Sequence, residues 1–368
     1  MSDLTNLFTD STDRGTQRML SMIMDPQVSQ VTCDRYDRIA FRNAAGPQRA
    51  DRVFASPAQY IQFLNHLMSL TDAGYIDVIK ARTSFIEGSF RSDKIPVHGS
   101  IHICTPEITR GQPTLVVRKQ PIELVTLDQM FDQGMMDEQM RIFLEKAIQG
   151  RSNILISGGS GAGKTTLARA LSYYIDPWQR VLTAEDIDEL HLYDRLQNTV
   201  SLTTYRARDE QGRLIRETTL EDLVKEAGLR ARFDRIWVGE TRGREAFALI
   251  KACNSGHDGS VTTIHADSGK QAVKQLVTYV MESGLPEVPA REQVAQAFNV
   301  VVQLSKVQMN RRVISEITFM EPVIEGGSNQ RLTQLWVYNP ATGSHEFKTT
   351  GLPEKLVMHW AKHGVNIG

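Results

Sequence analysis

Residues 153–171, NILISGGSGAGKTTLARAL, set four glycines in six positions between an apolar run and a helix-forming one. The pattern GxxxxGK[ST] is met by Gly158, Gly163, Lys164 and Thr165. It has a mechanism: the backbone N–H groups of a glycine-rich turn and of the following helix's first turn converge on one anion. Gly158, Gly159, Ser160, Gly161, Ala162, Gly163, Lys164, Thr165 and Thr166 are therefore the expected phosphate cradle. Lys164, read as an exposed loop side chain, should neutralise the β- and γ-phosphates, and the Thr165 hydroxyl should take one position on Mg²⁺.

Breaking the terminal phosphate needs an oriented water and a group to receive its proton. Ligands of open α/β sheets bind beyond the carboxyl ends of the strands, so polar residues just past apolar runs are the candidates. The run VLTA leads into Glu185 and Asp186, DRIWVG into Glu240, and GSVTTI into His265. Glu185 is assigned as the water activator. Glu240 is assigned to order the Mg²⁺ water shell, although sequence alone permits the reverse. Asp186 joins Thr165 and Glu240 on the metal side, and His265 should sense or polarise the γ-phosphate. Arg230, Arg232 and Arg242 flank the Glu240 strand as candidates for stabilising phosphoryl charge, against the plainer reading of surface ion pairs. No NKxD stretch occurs, so the guanine reader of GTPases is missing and ATP is favoured.

These groups need a scaffold. From 150 to about 265, apolar strand-like runs alternate with helical patterns, which predicts a parallel sheet wrapped by helices. Leu167, Leu171, Tyr174 and Ile175 keep helical spacing after the loop until Pro177 stops it. Before this half, residues 17–121 combine one amphipathic helix, PAQYIQFLNHLMSLT, with strand candidates RIAFRN, SIHICT and TLVVRKQ, a smaller α+β module. The expected division is a flexible tail over 1–16, the α+β domain over 17–121, a linker with short helices over 122–149, and the ATPase domain over 150–368.

The chain has 368 residues, 41% hydrophobic and 23% charged, so two globular cores are expected. No apolar run is long enough to span a bilayer. A formal net charge of -1, without a basic stripe interleaved with aromatics, does not support direct nucleic-acid binding. Three scattered cysteines exclude a disulfide framework or a four-ligand cysteine zinc site and fit a reducing cytoplasm. The acidic start, MSDLTNLFTDSTDRGT, lacks the apolar region of a secretory signal.

Taken together, RIWVGETRGREAFALIKACNSGHDGSVTTIHADS resembles the second nucleotide-binding motif and histidine box of the secretion-superfamily traffic ATPases, and VLTAEDIDEL resembles their acidic box. With the phosphate loop, all four motifs stand in family order. The resemblance implies a RecA-like α/β ATPase domain behind a smaller N-terminal domain. It also implies a homo-hexamer at the inner face of the bacterial inner membrane, working with inner-membrane components of a secretion machine and with a substrate-coupling ATPase as a candidate partner. Arg118, in VVRK, matches a family arginine that reaches the nucleotide from the N-terminal domain. Lacking the four-cysteine zinc motif and the AIRNLIRE-like signature of the pilus branches, the chain looks most like the type IV secretion branch, which serves conjugation or effector export. Pilus assembly or retraction is the alternative within the superfamily. Outside it stand a nucleoside kinase, which would need an acceptor-binding lid and no histidine box, and a scaffold that binds ATP without turnover.

Overall fold

In the computed structural model the described residues are 14–43, 45–50, 53–71, 73–90, 97–120, 125–208, 214–307, 311–321 and 331–366. They form two compact units, one comprising 1–123 with 206–216 and the other 124–205 with 217–368.

The first unit contains α1 (Arg14–Met24), β1 (Gln30–Arg35), β2 (Arg38–Asn43), β3 (Gly46–Ala50), α2 (Pro57–Ser69), β4 (Phe85–Ser89), β5 (His98–Cys104) and β6 (Thr114–Gln120). Its six strands form one antiparallel sheet in the order β3-β2-β1-β6-β5-β4. Period-2 alternation places Ile101, Ile103, Leu115 and Val117 in one core with Tyr60, Phe63, Leu64 and Leu67 of α2 and Met19 and Ile23 of α1. Ser56 caps α2, its hydroxyl accepting from the Gln59 amide, and Pro57 occupies the first turn, where no N–H is needed. Arg14, Gly15 and Thr16, expected in a flexible tail, instead open α1, with Gly15 and Thr16 buried. Residues 1–13 of that tail lie outside the described residues, as does Pro121 at the expected domain end.

In the second unit the elements are α3 (Leu127–Asp132), α4 (Glu138–Gln149), β7 (Ile154–Gly158), α5 (Lys164–Leu171), β8 (Val181–Glu185) and β9 (Thr199–Thr203). A two-stranded ribbon of β10 (Tyr205–Arg208) and β11 (Leu214–Thr218), most of which is grouped with the first unit, interrupts this series. Then come α6 (Leu220–Asp222), β12 (Arg235–Val238), α7 (Glu245–Asn254), β13 (Val261–Ile264), α8 (Gly269–Met281), α9 (Glu287–Ala297), β14 (Val300–Lys306), β15 (Arg312–Met320), β16 (Leu332–Asn339), β17 (Ser344–Phe347) and α10 (Glu354–Lys362). The main sheet runs β17-β16-β15-β14-β7-β13-β12-β8-β9. From β14 to β9 the pairs are parallel, and β15 to β17 add an antiparallel flank. Strands β7, β8, β12 and β13 are buried along their whole length, because helices cover both faces.

One apolar core lies on each face of this sheet. Leu127, Met130, Phe143 and Leu144 of α3 and α4 share a core with Ile154, Leu167 and Trp360. The short helices expected in a linker are therefore part of the second unit's interior, since their apolar faces cannot stay in water. Among the described residues no helix is long and apolar enough to cross a membrane.

Candidate nucleotide site

The phosphate loop leaves β7 at Gly158 and enters α5 at Lys164. Gly161 (φ 67°) and Gly163 (φ 102°) are left-handed, a conformation costly for any residue with a Cβ, and they turn successive N–H groups to one side. Gly163 is the N-cap of α5 and has no side-chain cap, so the helix's first N–H groups are left for a ligand. The nine cradle residues read from sequence thus fall on this one turn. Two cations that sequence reading missed flank it. Lys306, at the end of β14, donates to the Ser160 carbonyl at 2.8 Å, and the Arg312 side chain lies against Gly163. The strand-end rule would have found Lys306, because β14 pairs in parallel with β7 and Leu304 stands opposite Gly158.

Lys164 is buried, 7% exposed, and not the exposed side chain expected. Its Nζ donates to the carbonyls of Gly158 (3.0 Å) and Gly159 (3.4 Å) and lies 3.2 Å from Nδ1 of His265. Burial holds its pKa below the ordinary lysine value, with Glu240 opposing that shift.

His265, at the end of β13, places Nε2 3.0 Å from Oε1 of Glu240, at the end of β12. A carboxylate only accepts, so a proton on Nε2 suits the Glu240 contact, while the Lys164 ammonium lies within 3.4 Å of both ring nitrogens. The histidine's pKa is depressed, first by burial, with Lys164 and Arg242 adding to it and Glu240 opposing. Arg242 closes the series, its Nη2 donating to Oε2 of Glu240 at 2.7 Å, which raises the guanidinium's pKa. The result is a row of ammonium, imidazole, carboxylate and guanidinium along adjacent strand ends. Cross-strand bonds fix that row: the Thr241 and Thr262 hydroxyls meet at 2.7 Å, and Thr263 Oγ1 donates to the Gly239 carbonyl at 2.8 Å.

Glu185 does not join them. In the order β7-β13-β12-β8 it ends the third strand from the phosphate loop, roughly 14 Å away at the usual strand spacing. It is 3% exposed, and its carboxyl accepts the N–H groups of Glu189 and Leu190 at 3.1 Å. Gly239 is packed so closely that a Cβ there would lie 2.7 Å from Oε1. In this structure Glu185, expected to activate water, pins the turn that follows β8 and does not reach the phosphate loop. That turn brings a different carboxylate back to the loop, Glu189, whose Oε2 accepts from Thr165 Oγ1 at 3.4 Å. Asp186, expected on the metal side, instead faces solvent with Oδ2 3.9 Å from Arg242. Thr165, Glu189 and Glu240 supply hard oxygen donors beside a phosphate cradle, a set that suits Mg²⁺.

Burial, reinforced by Asp188, pushes the Glu185 pKa well above its ordinary 4.5. The folded carboxyl keeps its proton where the unfolded chain has lost it, so stability falls as pH rises past about 4.5. Glu185→Gln is therefore expected to melt higher than the wild type at pH 7 and alongside it at pH 4, with turnover retained. A wild type that melts above the variant at pH 7 would contradict an upward shift at this buried carboxyl.

The remaining arginines divide by strand end. Arg230 pairs with Glu226 at 2.9 Å, and Arg232 is exposed with φ 53°. Both precede β12, whereas Glu240 follows it, so they lie at the opposite edge of the sheet from their own chain's phosphate loop. Within one chain they therefore do not join the phosphate loop. Arg118 is exposed on β6 of the first unit.

Residues 82–336 match the family described as Type II/IV secretion system protein. The chain is 33% identical over 206 residues to the probable conjugal transfer protein TrbB of Sinorhizobium fredii, which covers 55% of this chain and 59% of the relative. It is 38% identical over 168 residues to the type IV secretion system protein PtlH of Bordetella pertussis, covering 45% and 48%. The matches thus span between about half and two thirds of these relatives. Among solved structures, the ATPase DotB of Legionella pneumophila superposes with a TM-score of 0.57 at 20% identity, over 84% of this chain and 82% of that one. The pilus retraction motor PilT with bound ADP superposes at 0.56 and 15%, over 94% and 85%. The shared fold is α/β, a RecA-like domain preceded by a smaller α+β domain.

Proposed function

Because this chain belongs to the Type II/IV secretion system protein family, we propose that it is an ATP-hydrolysing motor, active as a homo-hexameric ring at the inner face of the bacterial inner membrane. The ring powers assembly of, or substrate transfer through, a type IV secretion or conjugation system. The observation that carries the catalytic part is the row from Lys164 through His265 and Glu240 to Arg242, which begins at the phosphate loop. The relatives named for conjugal transfer and type IV secretion favour this machine over a pilus.

In this reading the loop amides and Lys164 bind the phosphates, and Thr165 and Glu189 would hold a Mg²⁺, which would supply positive charge to the phosphate oxygens. Glu240 accepts the proton of the attacking water as the water oxygen bonds to the γ-phosphorus and the bond to the ADP oxygen breaks. Arg242 and His265 hold its two oxygens in place for that transfer, and neutral His265 signals loss of the phosphate through Lys164. The roles given to the two glutamates by sequence are exchanged in part: Glu240 activates water, and Glu189 takes the metal side.

The test is phosphate release from ATP by the purified chain with no acceptor present. Magnesium-dependent release is expected; nucleotide binding without release would identify a scaffold, and release only with an added acceptor a kinase. Glu189→Gln is expected to raise the Mg²⁺ concentration for half-maximal turnover about 10-fold, since groups that orient metal ligands commonly carry 10- to 100-fold in affinity. An unchanged magnesium curve would remove Glu189 from the metal side.

A further inference from the structure

The second unit has a cavity of about 760 Å³ that the nucleotide site does not use. Its lining comes from the segments that enter β7, β8, β9 and β12 and from the end of α10, so it lies at the amino edge of the parallel sheet, opposite the phosphate loop. Four cationic side chains, Arg151, Arg195, Arg235 and Lys362, line it against one carboxylate, Asp176.

The arginines are placed in ways that are costly without a counter-charge. Arg235 is 1% exposed, and its donors go to neutral acceptors only: Oε1 of Gln179 (2.5 Å) and the carbonyls of Ile148 (2.8 Å) and Gly259 (3.4 Å). Burial, with Arg151 adding to it and Asp234, Asp176 and Asp258 opposing, pushes its pKa down to about 9. Arg195 lies 4.2 Å above the Tyr173 ring, with Nη2 donating to the Tyr173 carbonyl and Nη1 enclosed without a partner. Asp176 is partly committed, its Oδ1 accepting from the Trp178 amide at 3.0 Å. A buried guanidinium without a carboxylate is expensive, and a concave wall of one sign concentrates its field.

We propose that this cavity binds a small phosphate-bearing anion, at a site separate from the ATP site. Arg151 pairs with Asp234 at 3.7 Å, and the remaining excess of about two positive charges is matched by a phosphate-bearing group, since each phosphate carries up to about two negative charges, and guanidinium forks match its oxygens. The volume lies in the range of small-molecule sites, roughly 300–1,000 Å³. A metal is the competing occupant, because ligand atoms of His359, His363 and Asp258 lie within 4.8 Å of one another beside the cavity. Burial, His359, Arg151 and Arg235 disfavour positive charge on His363 against the pull of Asp258, and the two arginines disfavour a cation there for the same reason.

The test is calorimetric titration of the full chain with inorganic pyrophosphate in magnesium-free buffer. Two sites are expected on the wild type. Lys164→Ala should remove the one at the phosphate loop, and Arg195→Gln and Lys362→Gln should each weaken the other at least 10-fold while leaving the melting temperature near wild type. A single site erased by Lys164→Ala, or a second site untouched by both Arg195→Gln and Lys362→Gln, would overturn the proposal. Zinc binding lost in His363→Ala, with no second pyrophosphate site, would give the cavity to a metal instead.

Discussion

Lys164→Ala should lower ATP turnover by about 100-fold or more, a loss of ~2.7 kcal/mol or more in the transition state. Among the described residues the ammonium is the one cation that reaches the loop carbonyls of Gly158 and Gly159 and the His265 ring together. Its removal deprives the γ-phosphate of charge and breaks the row leading to Glu240. Stability should change little, by about 1 kcal/mol in either direction, for a reason the burial supplies. Three bonds are lost, but a largely buried ammonium no longer has to be kept from water. Steady-state phosphate release beside a thermal melt separates the two quantities. Near wild-type turnover in a folded variant would remove the phosphate loop from the chemistry.

For Glu240→Gln the expected result is hydrolysis slowed about 100-fold or more while ATP affinity stays within about 3-fold, because the amide keeps one acceptor oxygen for Arg242 but, with its other oxygen replaced by an NH2, cannot take a proton. Binding depends on the loop amides and Lys164, which the substitution leaves in place. The comparison that decides the assignment is Glu185→Gln, read by fluorescent nucleotide titration and by phosphate release on the same preparations. Turnover should survive there, since Glu185 is enclosed against Gly239 and committed to the amides of Glu189 and Leu190. If Glu185→Gln lost turnover and Glu240→Gln kept it, the water-activating role would return to Glu185.

Much of this protein is local in origin and therefore legible in sequence. The glycine spacing from Gly158 to Gly163 determines a turn with inward amides, because left-handed backbone and an uncapped helix start are properties of a few adjacent residues. Alternating apolar runs determine RIAFRN as β2 and VISEITFM within β15, and helical spacing with Ser56 and Pro57 determines α2. The alternation from 150 onward determines a parallel sheet, and with it the rule that Glu185, Glu240 and His265 end their strands at one edge.

Which of those three meet was decided by lateral strand order, and no local pattern encodes that order. Placing β13 beside β7 and β12 beside β13 puts His265 against Lys164 and Glu240 against His265, and leaves Glu185 one strand further out under Gly239. The same order brings β14 to the other side of β7 and so supplies Lys306, some 140 residues along the chain from the loop it flanks. Glu189 reaches Thr165 only because Glu185 is buried and ties down the turn between them. Strand direction settled the arginines: Arg230 and Arg232 enter β12 while Arg242 leaves it, and a few ångströms per residue along that strand separates one edge of the sheet from the other. Sequence determined which groups stand at strand ends; tertiary structure decided which neighbours they have there, because hydrogen-bonded strand pairing is a long-range choice made by packing two apolar cores at once.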